Sequence, residues 1–240
     1  MPSNQAECQT GYEISSSLVG VSVNMKAHTQ FRLRNRLVSM WPWLAELMLY
    51  ARFGALMFVR RKQGWLLPPL SLVKRSMLRR EAIRLQANTF VETGTYLGDT
   101  TWYLRTDFKR LISIEVEANL AAIARDRFSG HPNISIVEGD SGTQLSVVVP
   151  TISPPVLFWL DGHYSAGITG RGNSDCPIWE ELAAISGRTN LRCSIFIDDA
   201  RCFGTDSAYP TISEMQKWCH EHLPRHSFSV ENDIIIMRAE

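Results

Sequence analysis

The chain has 240 residues, 45% of them hydrophobic, with 25 Lys/Arg against 24 Asp/Glu; it can bury a core and is neither a disordered tail nor a minimal disulfide scaffold. The near-neutral sum hides a split. Residues 1–85 carry 13 basic and 4 acidic residues, net +9, which leaves 12 and 20, net −8, for residues 86–240.

In chain order, the first seventeen residues, MPSNQAECQTGYEISSS, have neither a basic start nor an apolar run, so no secretory signal is expected and a cytoplasmic location is the simplest reading. Residues 1–37 are polar, end in Arg32, Arg34 and Arg36, and read as a flexible basic arm. Residues 38–86 read as an amphipathic helical extension. Its stretch Val38–Val59 is long enough to span a bilayer but holds Glu46 and Arg52, plus Pro42 and Gly54. A charge near the bilayer centre costs roughly 3 kcal/mol, which favours an interfacial or core-packed helix over a spanning one. Pro68 and Pro69 break the chain, and SLVKRSMLRREAIRLQ then predicts a helix leading into the domain of residues 87–240.

Beyond residue 87, apolar runs alternate with helical patterns, the rhythm of parallel strands joined by crossover helices. Strands are predicted at Thr89–Glu92, Leu111–Glu115, Ile134–Glu138, Val156–Leu160 and Ser194–Asp198, with helices starting near Leu97, Glu117, Ser141, Pro177 and Thr211. HSFSVENDIIIMR carries two apolar runs around Glu231, Asn232 and Asp233, a hairpin signal. The expected fold is therefore α/β, a Rossmann-like doubly wound, mostly parallel sheet with a terminal antiparallel hairpin and an N-terminal helical extension. Five scattered cysteines, Cys8, Cys176, Cys193, Cys202 and Cys219, without a C-x-x-C pair, argue against a zinc ribbon and a disulfide framework and favour a reducing compartment.

Ligands of open parallel sheets bind beyond the carboxyl ends of the strands, so the residues that end each strand carry the information. The first strand ends in Glu92-Thr93-Gly94-Thr95-Tyr96-Leu97-Gly98, whose glycines allow a tight turn and close approach to a ligand. The second ends at Glu115, about 20 residues on, where an acid accepts from a ribose diol. The third closes with Glu138-Gly139-Asp140-Ser141, either an adenine-reading turn or ordinary helix capping. Thr95, Tyr96 and Leu97 stand where a dinucleotide loop needs glycine, and no Gly-Lys-Ser/Thr follows, so a nucleoside without phosphates fits best. An acid such as Glu92 suits a ligand bearing an ammonium and a sulfonium.

FVETGTYLGDT, SIEVE, VEGDSG, FWLDGHYS and IFIDDAR, in this order and followed by a hairpin, resemble the motif series of class I S-adenosylmethionine (SAM)-dependent methyltransferases over residues 88–238. The sparse glycine loop is similar to that of macrocin-type sugar O-methyltransferases. The resemblance implies a last strand inserted antiparallel, Glu92 and Gly94 near the methionine part of the cofactor, Glu115 on the ribose and Asp140 near the adenine. Thr95, Gly98, Ser141 and Asp161 complete the expected cofactor site.

Asp161, followed by His163, ends the fourth strand and Asp198-Asp199 ends the fifth; converging carboxylates repel unless a cation or protons neutralise them, and hard oxygen ligands suit Mg²⁺. The resemblance extends to the metal site of catechol-type and macrocin-type enzymes and implies Asp161, Asp198 and Asp199 as ligands. His163 is the expected base, with Asp161 in reserve and a purely structural His163 as the alternative. The Gly/Ser-rich loop after Tyr164, with Arg171 and Asn173, reads as an acceptor lid or a surface loop; Arg201, Tyr209 and Trp179 are further lining candidates. The expected function is Mg-assisted O-methyl transfer to a small-molecule or saccharide hydroxyl, not to nucleic acid. A non-catalytic nucleotide-binding scaffold and an NAD-dependent oxidoreductase are the alternatives. Trp41, Trp43 and the basic flank suggest peripheral membrane contact or a homo-oligomer through the N-terminal extension.

Overall fold

The computed structural model describes residues 71–162, 176–205 and 207–240. Residues Val73–Glu240 form one compact unit. The basic arm and most of the helical extension lie outside the described residues, and among those described no helix is long and apolar enough to cross a membrane.

Helix α1, Ser71–Leu85, contains neither Gly nor Pro, and its apolar spacing buries Met77, Leu78, Ala82 and Leu85 on one face. Strands β1 (Thr89–Thr93), β2 (Arg110–Glu115), β3 (Ile134–Glu138), β4 (Val156–Leu160) and β5 (Cys193–Ile197) match the predicted runs to within a residue at either end. Between them come α2 (Asp99–Leu104), α3 (Ala118–Arg127), α4 (Ser141–Val148) and α5 (Ile178–Ser186), and α6 (Ile212–His222) precedes the hairpin β6 (His226–Glu231) and β7 (Ile234–Ala239). Helix α2 starts two residues later than Leu97 because Gly98 is left-handed, φ 73°, and cannot be its first helical residue. Thr211 and Glu214 close a capping box at the start of α6. Asn232 and Asp233, at φ 51° and 63°, make the two-residue turn between β6 and β7, since successive left-handed residues match the twist of a hairpin.

The sheet order is β3-β2-β1-β4-β5-β7-β6. The first five strands pair in parallel, and β7 inserts antiparallel between β5 and β6, as expected. Strands β1, β4 and β5 are buried along their whole length, the signature of central strands covered on both faces. Neighbours along each strand serve opposite layers. Val91, Phe158 and Ile195 pack with the face covered by Leu145, Leu182 and Met215, whereas Phe90, Leu157 and Phe196 pack under Met77, Leu78 and Leu104. Cys176, Cys193 and Cys219 are buried thiols.

Candidate functional site

The turn after β1 is built by close contact. Gly94 has φ 79°, and a Cβ there would lie 2.2 Å from the Asp161 carbonyl oxygen, so the ends of β1 and β4 meet at a distance only glycine permits. Thr95 is buried, with its hydroxyl 2.6 Å from that of Ser113 on β2. Arg127 of α3 donates to the Leu97 carbonyl and, at 2.9 Å, to Asp99, fixing the far side of the turn.

Glu92 is only 2% exposed. Its Oε2 accepts from the hydroxyls of Thr101, 2.7 Å, and Ser113, 2.6 Å. Burial pushes its carboxyl up to about 7, more than those hydroxyls and the Arg75 charge pull it down. These two bonds tie Glu92 of β1 to α2 and β2. Glu115 sits at the end of β2 and is tied to backbone: its Oε2 accepts from the Tyr96 amide, 2.7 Å, and its Oε1 from the Glu117 amide, 3.0 Å. One carboxylate therefore sets the conformation of the β1 turn, with Tyr96 at φ 47°, and of the segment after β2. Burial raises its pKa against the pull of these amides.

Asp140 caps α4, its Oδ2 accepting from the Thr143 amide and hydroxyl at 3.0 Å each, the capping alternative read from the sequence. Glu138 pairs with Arg125 at 2.9 Å near the surface. Ser141 is buried. The Asp161 amide donates to the carbonyl and hydroxyl oxygens of Thr93, both 3.2 Å. Beside it, a Cβ on Gly162 would come within 3.1 Å of Thr93 Oγ1, Ser141 Oγ and Glu181 Oε1. Three side chains from β1, α4 and α5 therefore surround the residue that follows Asp161. Sequence reasoning passed over Thr93 and Glu181; Glu181 is 2% exposed, but a glutamate in the first turn of a helix carries no signal beyond the helix dipole.

The acids after β5 depart from expectation. Lys74 of α1 donates to Asp198 Oδ1 and, at 3.3 Å, to Asp199 Oδ1, with Asp233 of the β6–β7 turn at 3.9 Å. Arg201 donates to Asp199 Oδ1 at 2.7 Å and to Asp233. Burial alone would lower the Lys74 pKa, but Asp198 and Asp199 raise it above the ordinary lysine value; burial and then Asp199 push Asp198 up, against the pull of Lys74. Among the described residues no group of three or more His, Cys, Asp or Glu side chains is arranged to hold a metal ion. A divalent ion about 4 Å from the Lys74 ammonium would meet a repulsion of roughly 8 kcal/mol at an effective dielectric constant of about 20. The set Asp161, Asp198 and Asp199 therefore does not fit Mg²⁺ as arranged: two of its members already hold cations from the protein.

His163, Tyr164, Arg171 and Asn173 lie outside the described residues. Tyr209 packs edge-on to Phe203 with ring centres 5.3 Å apart, and Trp179 is 39% exposed near Trp218. The histidines near the end of α6 go separate ways: His222 stacks on Trp218, and His226 bonds the Cys193 carbonyl at 2.9 Å.

The chain is similar in structure to the O-methyltransferase TomG from Streptomyces achromogenes, involved in tomaymycin synthesis and solved with SAM. The match has a TM-score of 0.50 and 18% identity, covering 74% of this chain and 84% of that one. It is also similar to the SAH-bound methyltransferase PaMTH1 of Podospora anserina, with a TM-score of 0.53 and 14% identity over 95% of this chain and 100% of the other. The fold is that of the class I methyltransferases. At these identities the likeness is one of fold. No family model matches the chain. One curated relative, the ribosomal RNA small subunit methyltransferase A of Geobacter sulfurreducens, is 33% identical over 72 residues, 29% of this chain and only 26% of the relative's length. Glu92 and Glu115 lie at the carboxyl ends of β1 and β2, and Asp140 and Asp161 just beyond those of β3 and β4, along one edge of the sheet.

Proposed function

We propose that the chain is a SAM-dependent O-methyltransferase acting on a hydroxyl of a small-molecule or saccharide acceptor. The observation that carries the reading is the placement of Gly94, Glu115, Asp140 with Ser141, and Asp161 at the carboxyl ends of β1, β2, β3 and β4. The donor set fits the cofactor: a carboxylate has about four lone-pair sites, and Glu115 keeps acceptor capacity beside the Tyr96 and Glu117 amides for a ribose diol. Ser141 and the turn Gly94–Gly98 would hold the rest. Bound there, the cofactor would supply a methyl group activated by a sulfonium. The chain's own contribution is to orient the acceptor oxygen and take its proton, at the Asp161 carboxylate or the His163 imidazole. The magnesium expected at Asp161, Asp198 and Asp199 has no part in this scheme, because Lys74 and Arg201 hold the last two.

Calorimetry tests the proposal. SAM and its demethylated product should bind in the micromolar range, and Glu115→Ala should weaken both by roughly tenfold or more. No detectable binding of either ligand would overturn it. Asp161→Asn should reduce turnover by more than it weakens cofactor binding; unchanged turnover would remove Asp161 as the base.

The 72-residue likeness to a ribosomal RNA methyltransferase favours a second acceptor class, which the charge argument against nucleic acid does not remove. Incubation with tritiated SAM and either ribosomal RNA or a pool of glycosides and phenols separates the two. Label in RNA alone would replace the small-molecule reading.

A further inference from the structure

We infer that Lys74, with Arg201, fills the cation position of the acid pair that ends β5, so that the chain holds no divalent ion there and transfers its methyl group without one. The second half of this statement rests on the methyl-transfer reading; the first does not. An ammonium has three donors, and Lys74 faces three carboxylates with them: Asp198, Asp199 at 3.3 Å and Asp233 at 3.9 Å. Arg201 then takes the outer side, bonding Asp199 Oδ1 at 2.7 Å and Asp233 through both its guanidinium and its backbone amide. Among the described residues, two positive and three negative charges leave one net negative charge where the acids alone would carry three.

Lys74 is held in place by its helix. It is 8% exposed, and Met77 and Leu78, three and four residues on, are buried in the layer over Phe90, Leu157 and Phe196, which sets the phase of α1. A hard cation needs carboxylate oxygens able to turn toward it and waters to complete its shell. Here it would have to expel Lys74 from Asp198 and leave a buried ammonium without its partners. Asp199 adds a backbone constraint, since it sits in the left-handed region at φ 54° with its amide donating to Asp198 Oδ1 at 2.7 Å.

The probe is Mn²⁺, followed on the full chain by the paramagnetic resonance signal of the free ion. The wild-type protein should leave that signal unchanged at submillimolar Mn²⁺. One bound ion that Asp198→Asn abolishes would overturn the inference. Lys74→Met removes the inner cation and should bind Mn²⁺ roughly tenfold or more tightly than the wild type, because the ammonium that faces Asp198 is gone. A Lys74→Met protein that melts cooperatively but binds Mn²⁺ no better would also overturn it. Should that variant not fold, the wild-type titration still decides. Calorimetry with SAM in the presence of EDTA keeps the two readings apart. Absent SAM binding counts against the methyltransferase proposal, whereas the Mn²⁺ result stands either way.

Discussion

Burial pushes the Glu92 carboxyl from 4.5 up to about 7 in the folded chain, so its protonated form favours folding. The sign follows: the stability it contributes is full below about pH 4.5 and is lost as pH rises toward 7, a loss of about 3 kcal/mol once complete. Glu92→Gln keeps an acceptor for Thr101 and Ser113 without the titration. Its melting temperature should therefore gain on the wild type between pH 5 and pH 8, and an equal gap at both would show that Glu92 stays ionised. At Gly94, both φ 79° and the approach to the Asp161 carbonyl forbid a side chain. Gly94→Ala should cost about 3 kcal/mol in urea unfolding and reduce SAM affinity with it. Glu92, Gly94 and Glu115 were legible because each lies beside a strand end. The work each does was less so, since a spacing of about 20 residues does not say whether Glu115 meets a ribose or only the Tyr96 and Glu117 amides. Lys74 and Glu181 were not legible: the partner of Lys74 lies 124 residues away, and nothing local distinguishes either from a solvated helix charge.

Helix α1 is pinned at both ends. Toward its start Lys74 meets Asp198, and toward its end Glu81, 3% exposed, accepts from Arg84, from Ser194 on β5 at 2.7 Å and from Arg238 on β7 at 3.0 Å. Arg84 adds a bond to the Ala239 carbonyl at 2.8 Å. Between these anchors Leu78 is fully buried, so Leu78→Ala should lower stability by about 3 kcal/mol. Hydrogen exchange should show α1 and β7 losing protection together in that variant; loss confined to α1 would deny the coupling. The strands were readable because continuous apolar runs have few other uses, and the hairpin because Asn-Asp is turn chemistry. The insertion of β7 between β5 and β6 followed only from family resemblance, since pairing order is set by tertiary contacts and leaves no local pattern.

At the scale of the molecule, the described end of the basic stretch reaches the acidic one. Lys74 and Arg75, from the stretch of net +9, act on Asp198 and Glu92, from the stretch of net −8. The compact unit beginning at Val73 keeps α1, so deleting residues 1–60 should leave a protein that melts cooperatively and binds SAM. If the extension serves peripheral membrane contact, the truncated protein should no longer sediment with anionic vesicles; an unfolded product would show that the extension packs on the core. The anchoring of α1 also orders events during synthesis. Glu81 and Arg238 are 157 residues apart, so at translation rates of about 5–20 residues per second the helix waits roughly 8–30 s for its last partner. During that interval the cover of α1 arrives in steps, Phe90 and Leu157 before Ser194 and Asp198, and Arg238 after them. A nascent chain arrested before β7 therefore lacks Arg238 and the Ala239 carbonyl, two of the groups that anchor the second half of α1.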